Sequence, residues 1–289
     1  CPALQSIRSG ANPGEVALEP GRAYRLLAKN RDDATHYLVE IEGASPPRRW
    51  VGIGCGTADA GAAPPAQARA GDGGGARASH ILALSWQAGF CATHPAKTEC
   101  AAPPPPPAPR LTLHGLWPQP RGKSHCGVPD EARALDRAAT WNRLPAPEMT
   151  PQTRARLAAV MPGVQSSLER HEWIAHGTCY GASAEAYFAR SASLAEQANA
   201  TGLPAFFARN AGKTVTAQAI RAAVDEALGP GAGERVLVAC EGKGPGRLIG
   251  EIRLSLAGDV QGEAALRDLV AAAAPSQPGC PSGLVMPAR

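Results

Sequence analysis

The sequence predicts an α+β fold preceded by a small all-β unit. Three observations carry that expectation. Strand-like runs and helix-like runs alternate irregularly, without the strand–helix–strand repeat of a parallel sheet. The first 56 residues hold only short strand-like runs. A stretch rich in Ala, Gly and Pro then separates them from the rest of the chain.

Residues 1–56 carry "AYRLLAKN", "THYLVEIEG" and "RWVGIGC", parted by turn chemistry at Pro20-Gly21, Asn30 to Asp33 and Pro46-Pro47. In "HYLVEI", Tyr37, Val39 and Ile41 alternate with His36, Leu38 and Glu40, as in a half-buried strand. So small a unit has a marginal core, and a Cys1–Cys55 bridge closing it end to end would help. Residues 57–78 have no periodicity and read as a flexible linker.

From Ser79 onward, residues 79–289 form the second expected domain. "HILALSWQAGFC" is a largely apolar run read as a buried strand. Pro103 to Pro107 form a polyproline II spacer, and "LTLHGLWPQ" is a second short strand. Thr150-Pro151 give the N-cap and first-turn signal of a helix through about Val160. A second helix carries "SSLERHEWIAHG" and stops at Gly177. Further helices fit 183–199 and 216–228, the latter started by Thr216 and ended by Gly229. "RVLVAC" and "RLIGEIRLSL" close the chain as strands, the second alternating at Leu248, Glu251, Arg253 and Ser255.

Composition narrows the functional classes. The chain has 289 residues, 44% of them hydrophobic, and no apolar run of membrane-spanning length. No basic and apolar leader precedes Cys1, the expectation for a processed, mature chain. Eight cysteines, even in number and never in a C-x-x-C pair, argue for disulfides over a zinc ribbon or redox motif. A periplasmic or secreted protein is expected. A Cys at position 1 could instead carry lipid, but that would leave Cys55 unpaired. Net charge is +4, mild but better suited to a polyanionic substrate than to a cationic one.

The chemistry centres on "ERHEWIAHGTCY", Glu169 to Tyr180. Zinc peptidases place histidines at i and i+4 of a helix, about 40° apart around its axis. Here His171 and His176 are i and i+5, about 140° apart, so a zincin is disfavoured unless the helix breaks between them. Glu172 and His176, at i and i+4, do share a face. A carboxylate there supports an imidazolium, although an isolated pair of this kind is usually a solvated salt bridge. A second His-bearing, Gly-following segment, "LTLHGLWPQ", removes that isolation. Leu111 and Leu113 point one way, Thr112 and His114 the other.

These segments are specific. "LTLHGLWP" and "HEWIAHGTC" resemble the two active-site segments of the T2 ribonuclease family, and "ILALSWQAGFC" resembles the first core strand of its bacterial branch. The likeness runs from about His80 to Cys280. It implies a T2 ribonuclease-type domain, an antiparallel sheet packed with helices. The N-terminal unit lies outside it and looks like an appended SH3-like, β-barrel-like module.

The resemblance makes His114 and His176 the general acid and base, in an order left open. They would carry RNA through a 2′,3′-cyclic phosphate to a 3′-phosphate with no metal or other cofactor. His171 would contact the phosphate, and Glu172 would support the charge developing on it. Trp117 would stack a base, or simply pack the core. The family suggests Cys126–Cys179 and Cys240–Cys280. Cys91–Cys100 is a natural local loop, which leaves Cys1–Cys55, though other connectivities fit the sequence. A Cys179 thiolate nucleophile is disfavoured by the even count.

One position departs from the family pattern. A Lys usually precedes the second His, and here it is Ala175. Losing such a phosphate-facing charge costs about 2–4 kcal/mol if nothing replaces it. Another Arg or Lys reaches in, the enzyme is slow, or the position has been altered. The expected protein is a monomeric endoribonuclease acting on single-stranded RNA at acidic to neutral pH. The rival of another class is an RNA- or envelope-binding protein on a weakened ribonuclease scaffold. A metalloenzyme using the histidines in another geometry is the outsider.

Overall fold

The computed structural model describes residues 1–7, 10–30, 34–41, 43–44, 47–57, 76–101, 110–242 and 244–287. The linker's residues 58–75 and Pro103 to Pro107 lie outside them. The chain divides into two compact units, Cys1–Ala70 and Gly71–Arg289.

The first unit is a three-stranded antiparallel sheet, β1 (Arg25–Lys29), β2 (His36–Glu40) and β3 (Arg48–Gly52), in the order β1-β2-β3. Val39, Ile41, Val51 and Ala3 bury together, so the alternation of "HYLVEI" does set one inward face. Leu4 bridges Trp50, and Cys1 is bonded to Cys55. Among the described residues no strand pairing closes this sheet into a barrel.

The second unit is built on a six-stranded sheet: β4 (His80–Trp86), β5 (Leu111–Pro118), β6 (Thr214–Thr216), β7 (Val236–Glu241), β8 (Leu248–Leu256) and β9 (Ser282–Leu284). The path runs β5-β4-β8-β9-β6, with β7 also paired to β8. It is mixed rather than wholly antiparallel, because β9 joins β8 in parallel at Leu248–Leu284. The helices are α1 (Gln87–Thr93), α2 (Thr98–Ala101), α3 (Asp130–Arg137), α4 (Pro151–Val160), α5 (Leu168–Ala175), α6 (Ala184–Asn199), α7 (Leu203–Arg209), α8 (Ala217–Leu228) and α9 (Leu266–Ala272). None of them is long and apolar enough to cross a membrane, among the described residues.

Local chemistry explains the boundaries. Thr150, Ser183 and Thr216 each cap a helix by accepting the backbone N–H of its third residue. "HILALSWQAGFC" is not one strand: it turns into α1 at Gln87, since an apolar run does not distinguish a strand from a buried helix. Gly89 of that helix lies against the Ile249 carbonyl, where a Cβ would overlap.

Two register shifts position everything that follows. In the β4–β5 pairing Leu84 faces Leu113 and Ala83 faces Gly115, so His114 is the extra residue of a bulge. In the β7–β8 pairing Ala239 faces Glu251 and Cys240 faces Ile249, which makes Gly250 the extra residue. Leu113 and Leu116, three apart, therefore both enter the main core, as do Ile249 and Ile252. The alternation expected of β8 is interrupted at Gly250. That core also holds Leu82, Leu84, Tyr187, Phe188, Ile220 and Leu269. The opposite face of the sheet carries Thr112, His114, Ser85, Glu251 and Arg253 around a cavity of about 430 Å³.

Cys91–Cys100, Cys126–Cys179 and Cys240–Cys280 are the disulfides of this unit. With Cys1–Cys55 they fit an extracytoplasmic protein.

Candidate active site

β5 delivers the first imidazole. The bulge sets His114 on the cavity side and returns Leu116 to the core, so Trp117 follows on the same side as His114. Gly115 between them has no alternative. A Cβ there would collide with the Glu172 carboxylate and with Trp117 Nε1.

α5 delivers the second group. It ends at Ala175, not at Gly177 as the sequence suggests, and His176 sits on its C-cap with φ −125° and ψ −48°. The break turns His176 off the helical track. His171 and His176 therefore converge, their ring centroids 6.1 Å apart, despite a spacing of five. Gly177 follows because a Cβ there would strike the Trp173 ring. The turn Gly177–Cys179 is pinned by Cys126–Cys179 and by the His125 N–H donating to the Ala175 carbonyl at 2.9 Å.

The structure brings His114, Trp117, His171, Glu172 and His176 into one cluster. Trp117 stands between the outer imidazoles, 5.1 Å from His114 and 5.6 Å from His176 by ring centroids. Glu172 is fully buried. Its Oε2 accepts from Trp117 Nε1 at 2.9 Å, while Oε1 lies 3.7 Å from His114 Nε2 and 3.9 Å from His171 Nε2. Trp117 is thus spoken for on several sides, and the guanidinium of Arg253 lies over its ring at 5.1 Å.

Two further carboxylates act here that sequence reasoning did not single out. Glu251 Oε2 lies 2.6 Å from His114 Nδ1, and its Oε1 accepts from Arg253 Nε at 2.6 Å. Asp136, buried on α3, bridges His171 Nδ1 at 2.6 Å and His125 Nε2 at 2.8 Å. A carboxylate on one ring nitrogen fixes ring orientation and leaves the other nitrogen for chemistry. Trp141 stacks on His171 with centroids 4.5 Å apart. For α3 the signal was available: Asp130 and Glu131 in its first turn and Arg137 in its last. For Glu251 nothing in the sequence marked a partner 137 residues from His114.

Electrostatics separates the two outer imidazoles. Burial opposes charging His114, but the Glu251 hydrogen bond and the charges of Glu172 and Glu251 outweigh it and raise its pKa. Among the described residues no carboxylate is hydrogen-bonded to His176, and the charge of Asp136, which raises it, is outweighed. Burial, and then the neighbouring His171 and His114, push it down to about 4. Glu172 is raised by burial, against the pull of His114 and His171. Glu251 is lowered: burial works against its charge, and the hydrogen bond and charge of His114, with Arg253, prevail. His171, Glu172 and His176 also place one donor atom each within 4.8 Å of one another, a spacing that could hold a cation.

Paired imidazoles around a buried carboxylate, on an α+β scaffold, make up the site. The chain belongs to the Ribonuclease T2 family, whose model matches residues 78–265, and it is an RNA-cleaving enzyme. Among relatives, it is 33% identical to Ribonuclease I of Escherichia coli strain K12 over 204 residues, covering 62% of this chain and 75% of that one. Solved structures include the SF11-RNase of Nicotiana alata, at 16% identity, 72% and 97% coverage and a TM-score of 0.46. Ribonuclease MC1 from bitter gourd seeds follows at 17% identity, 62% and 89% coverage and a TM-score of 0.38. Likenesses that distant say nothing about individual site residues.

Proposed function

We propose that this enzyme cleaves single-stranded RNA internally, without a metal, by acid–base transphosphorylation. The observation that carries this reading is the placement of two imidazoles on either side of Trp117, one of them on the Glu251 carboxylate; burial and charge, raising His114 and lowering His176, fit that split. His176, neutral over most of the pH range, takes the proton of the ribose 2′-OH. That oxygen attacks the adjacent phosphorus. His114, held protonated by Glu251, gives its proton to the departing 5′-oxygen. The product is a 2′,3′-cyclic phosphate. Water then opens it to a 3′-phosphate with the two roles reversed.

His171, fixed by Asp136, presents its free nitrogen to the phosphate, and Glu172 supports the charge developing there. Trp117 is assigned base stacking, with Trp141 as a second aromatic in the cavity wall. The remaining assignments belong to the same reading: a monomer, periplasmic or secreted, with a catalytic domain of residues 79–289 behind a linker at 57–78. For residues 1–56 we propose an SH3-like module, supported by three antiparallel strands and the Cys1–Cys55 closure.

The test is hydrolysis of a short defined RNA in EDTA, with product ends weighed by mass spectrometry. A 2′,3′-cyclic phosphate that later becomes a 3′-phosphate is expected. Activity lost in EDTA and restored by a divalent ion would overturn the metal-free mechanism and turn attention to His171, Glu172 and His176 as ligands.

A further inference from the structure

The phosphate needs a permanent positive charge, and Ala175, 3% exposed at the end of α5, offers none. His114 and His176 must give and take protons, and an imidazole such as that of His171 is a cation only when protonated. A guanidinium keeps its charge at every working pH and presents paired donors that match two phosphate oxygens.

Two non-histidine cations line the cavity beside His114, Lys97 and Arg253. Lys97 Nζ lies 4.9 Å from the Trp141 ring, which stacks on His171. Arg253 lies over Trp117, the ring that separates the two proton-transfer groups. Its charge is felt at His114, where it works against protonation.

The sheet explains why Arg253 is there. Glu251 and Arg253 are two apart on β8 and share a face, and Arg253 pairs with Ala83, which in turn pairs with Gly115. The row Arg253–Ala83–Gly115 runs across β8, β4 and β5 to the bulge, with Ala83 fully buried between them. Glu251 takes Arg253 Nε with one oxygen and His114 Nδ1 with the other, so a single carboxylate orients both groups. Among the described residues neither terminal nitrogen of Arg253 makes a hydrogen bond, which leaves its two-pronged end for a ligand.

We propose that Arg253 supplies, from β8, the fixed charge that steadies the phosphoryl oxygens as the fifth bond to phosphorus forms. The inference rests on the transphosphorylation reading above. It also separates roles: Glu251 is a positioning residue, while Arg253 touches substrate.

The experiment compares Arg253→Met, Arg253→Lys and Lys97→Met with the unaltered full chain, on a dinucleotide in EDTA across pH. Thermal unfolding checks each fold. Arg253→Met is expected to lose ~10²-fold in kcat with KM little changed, at every pH, as for loss of one transition-state donor. Arg253→Lys should recover a substantial part of that loss, and Lys97→Met should stay within a few-fold of the unaltered chain. An Arg253→Met rate within about threefold overturns the proposal. So does a loss that appears only as a displaced pH profile, which would mean Arg253 acts on His114 alone, or a larger loss from Lys97→Met. Absence of cyclic product from the unaltered chain would instead refute the transphosphorylation reading itself.

Discussion

Gly115→Ala tests the geometry of the site most directly, because one methyl group is asked to occupy space the Glu172 carboxylate already fills. Glu172 is fully buried and cannot swing into solvent, and its Oε2 holds Trp117 Nε1 at 2.9 Å. The added carbon must expel the carboxylate, break that bond, or bend β5. A hydrogen bond to a charged acceptor contributes about 1.5–3 kcal/mol, and overpacking costs about 1–3 kcal/mol. Destabilisation of about 2.5–6 kcal/mol is expected, with activity on a dinucleotide reduced at least as severely. Urea unfolding followed by tryptophan fluorescence measures the first, initial rates the second. Gly202→Ala is the control, since a Cβ there meets open space and φ is −71°. A Gly115→Ala protein within 1 kcal/mol of the control and fully active would refute the wedged carboxylate.

Three other outcomes are expected. The kcat/KM profile should rise through about pH 4 as His176 loses its proton, hold, and fall above 6.5 as His114 loses its own; an acid limb at 6.5 or higher would reverse the assignment of acid and base. His80, half-buried beside Tyr180, is pushed down to about 4 by burial and then Lys123, so the unfolded chain binds its proton first. Stability should therefore fall as pH drops from 6.5 to 4, by at most about 3 kcal/mol from this ring and less for its partial exposure; a slope unchanged in His80→Phe would contradict it. Replacing Cys126 and Cys179 by Ser opens a loop of sequence separation 53 and should cost about 4 kcal/mol on the chain-entropy account, read from the denaturation midpoint. A cost under 1 kcal/mol would show that the turn after His176 holds without its bridge.

The parts of this molecule legible in the sequence are those fixed by local chemistry. Thr150-Pro151 and Thr216 announced α4 and α8 because capping is a property of four adjacent residues. The two His segments announced the site because residue types and spacing there are so restrictive. Spacing misled at His176, since an angle of about 140° holds only while the helix continues, and α5 stops one residue earlier. Glu251 and Asp136 stayed hidden for another reason. Their partners are set by register and packing across 137 and 35 residues of chain, and a carboxylate in a strand or short helix carries no mark of what it will face.

The bulge at His114 has a consequence for what this strand would be without it. Ala83 and Leu84 are consecutive on β4, whereas their partners Gly115 and Leu113 are not. Remove residue 114 and the ladder closes into an unbroken row, Leu116 still inward and Trp117 still outward. His114, the proposed proton donor, is thus a guest in its own sheet, the extra residue of the ladder. A chain shortened by that residue alone regains the ladder but leaves the buried Glu251 carboxylate without its imidazole, so on the proposed mechanism it should cut nothing and its unfolding midpoint weighs the bulge against that lost pair.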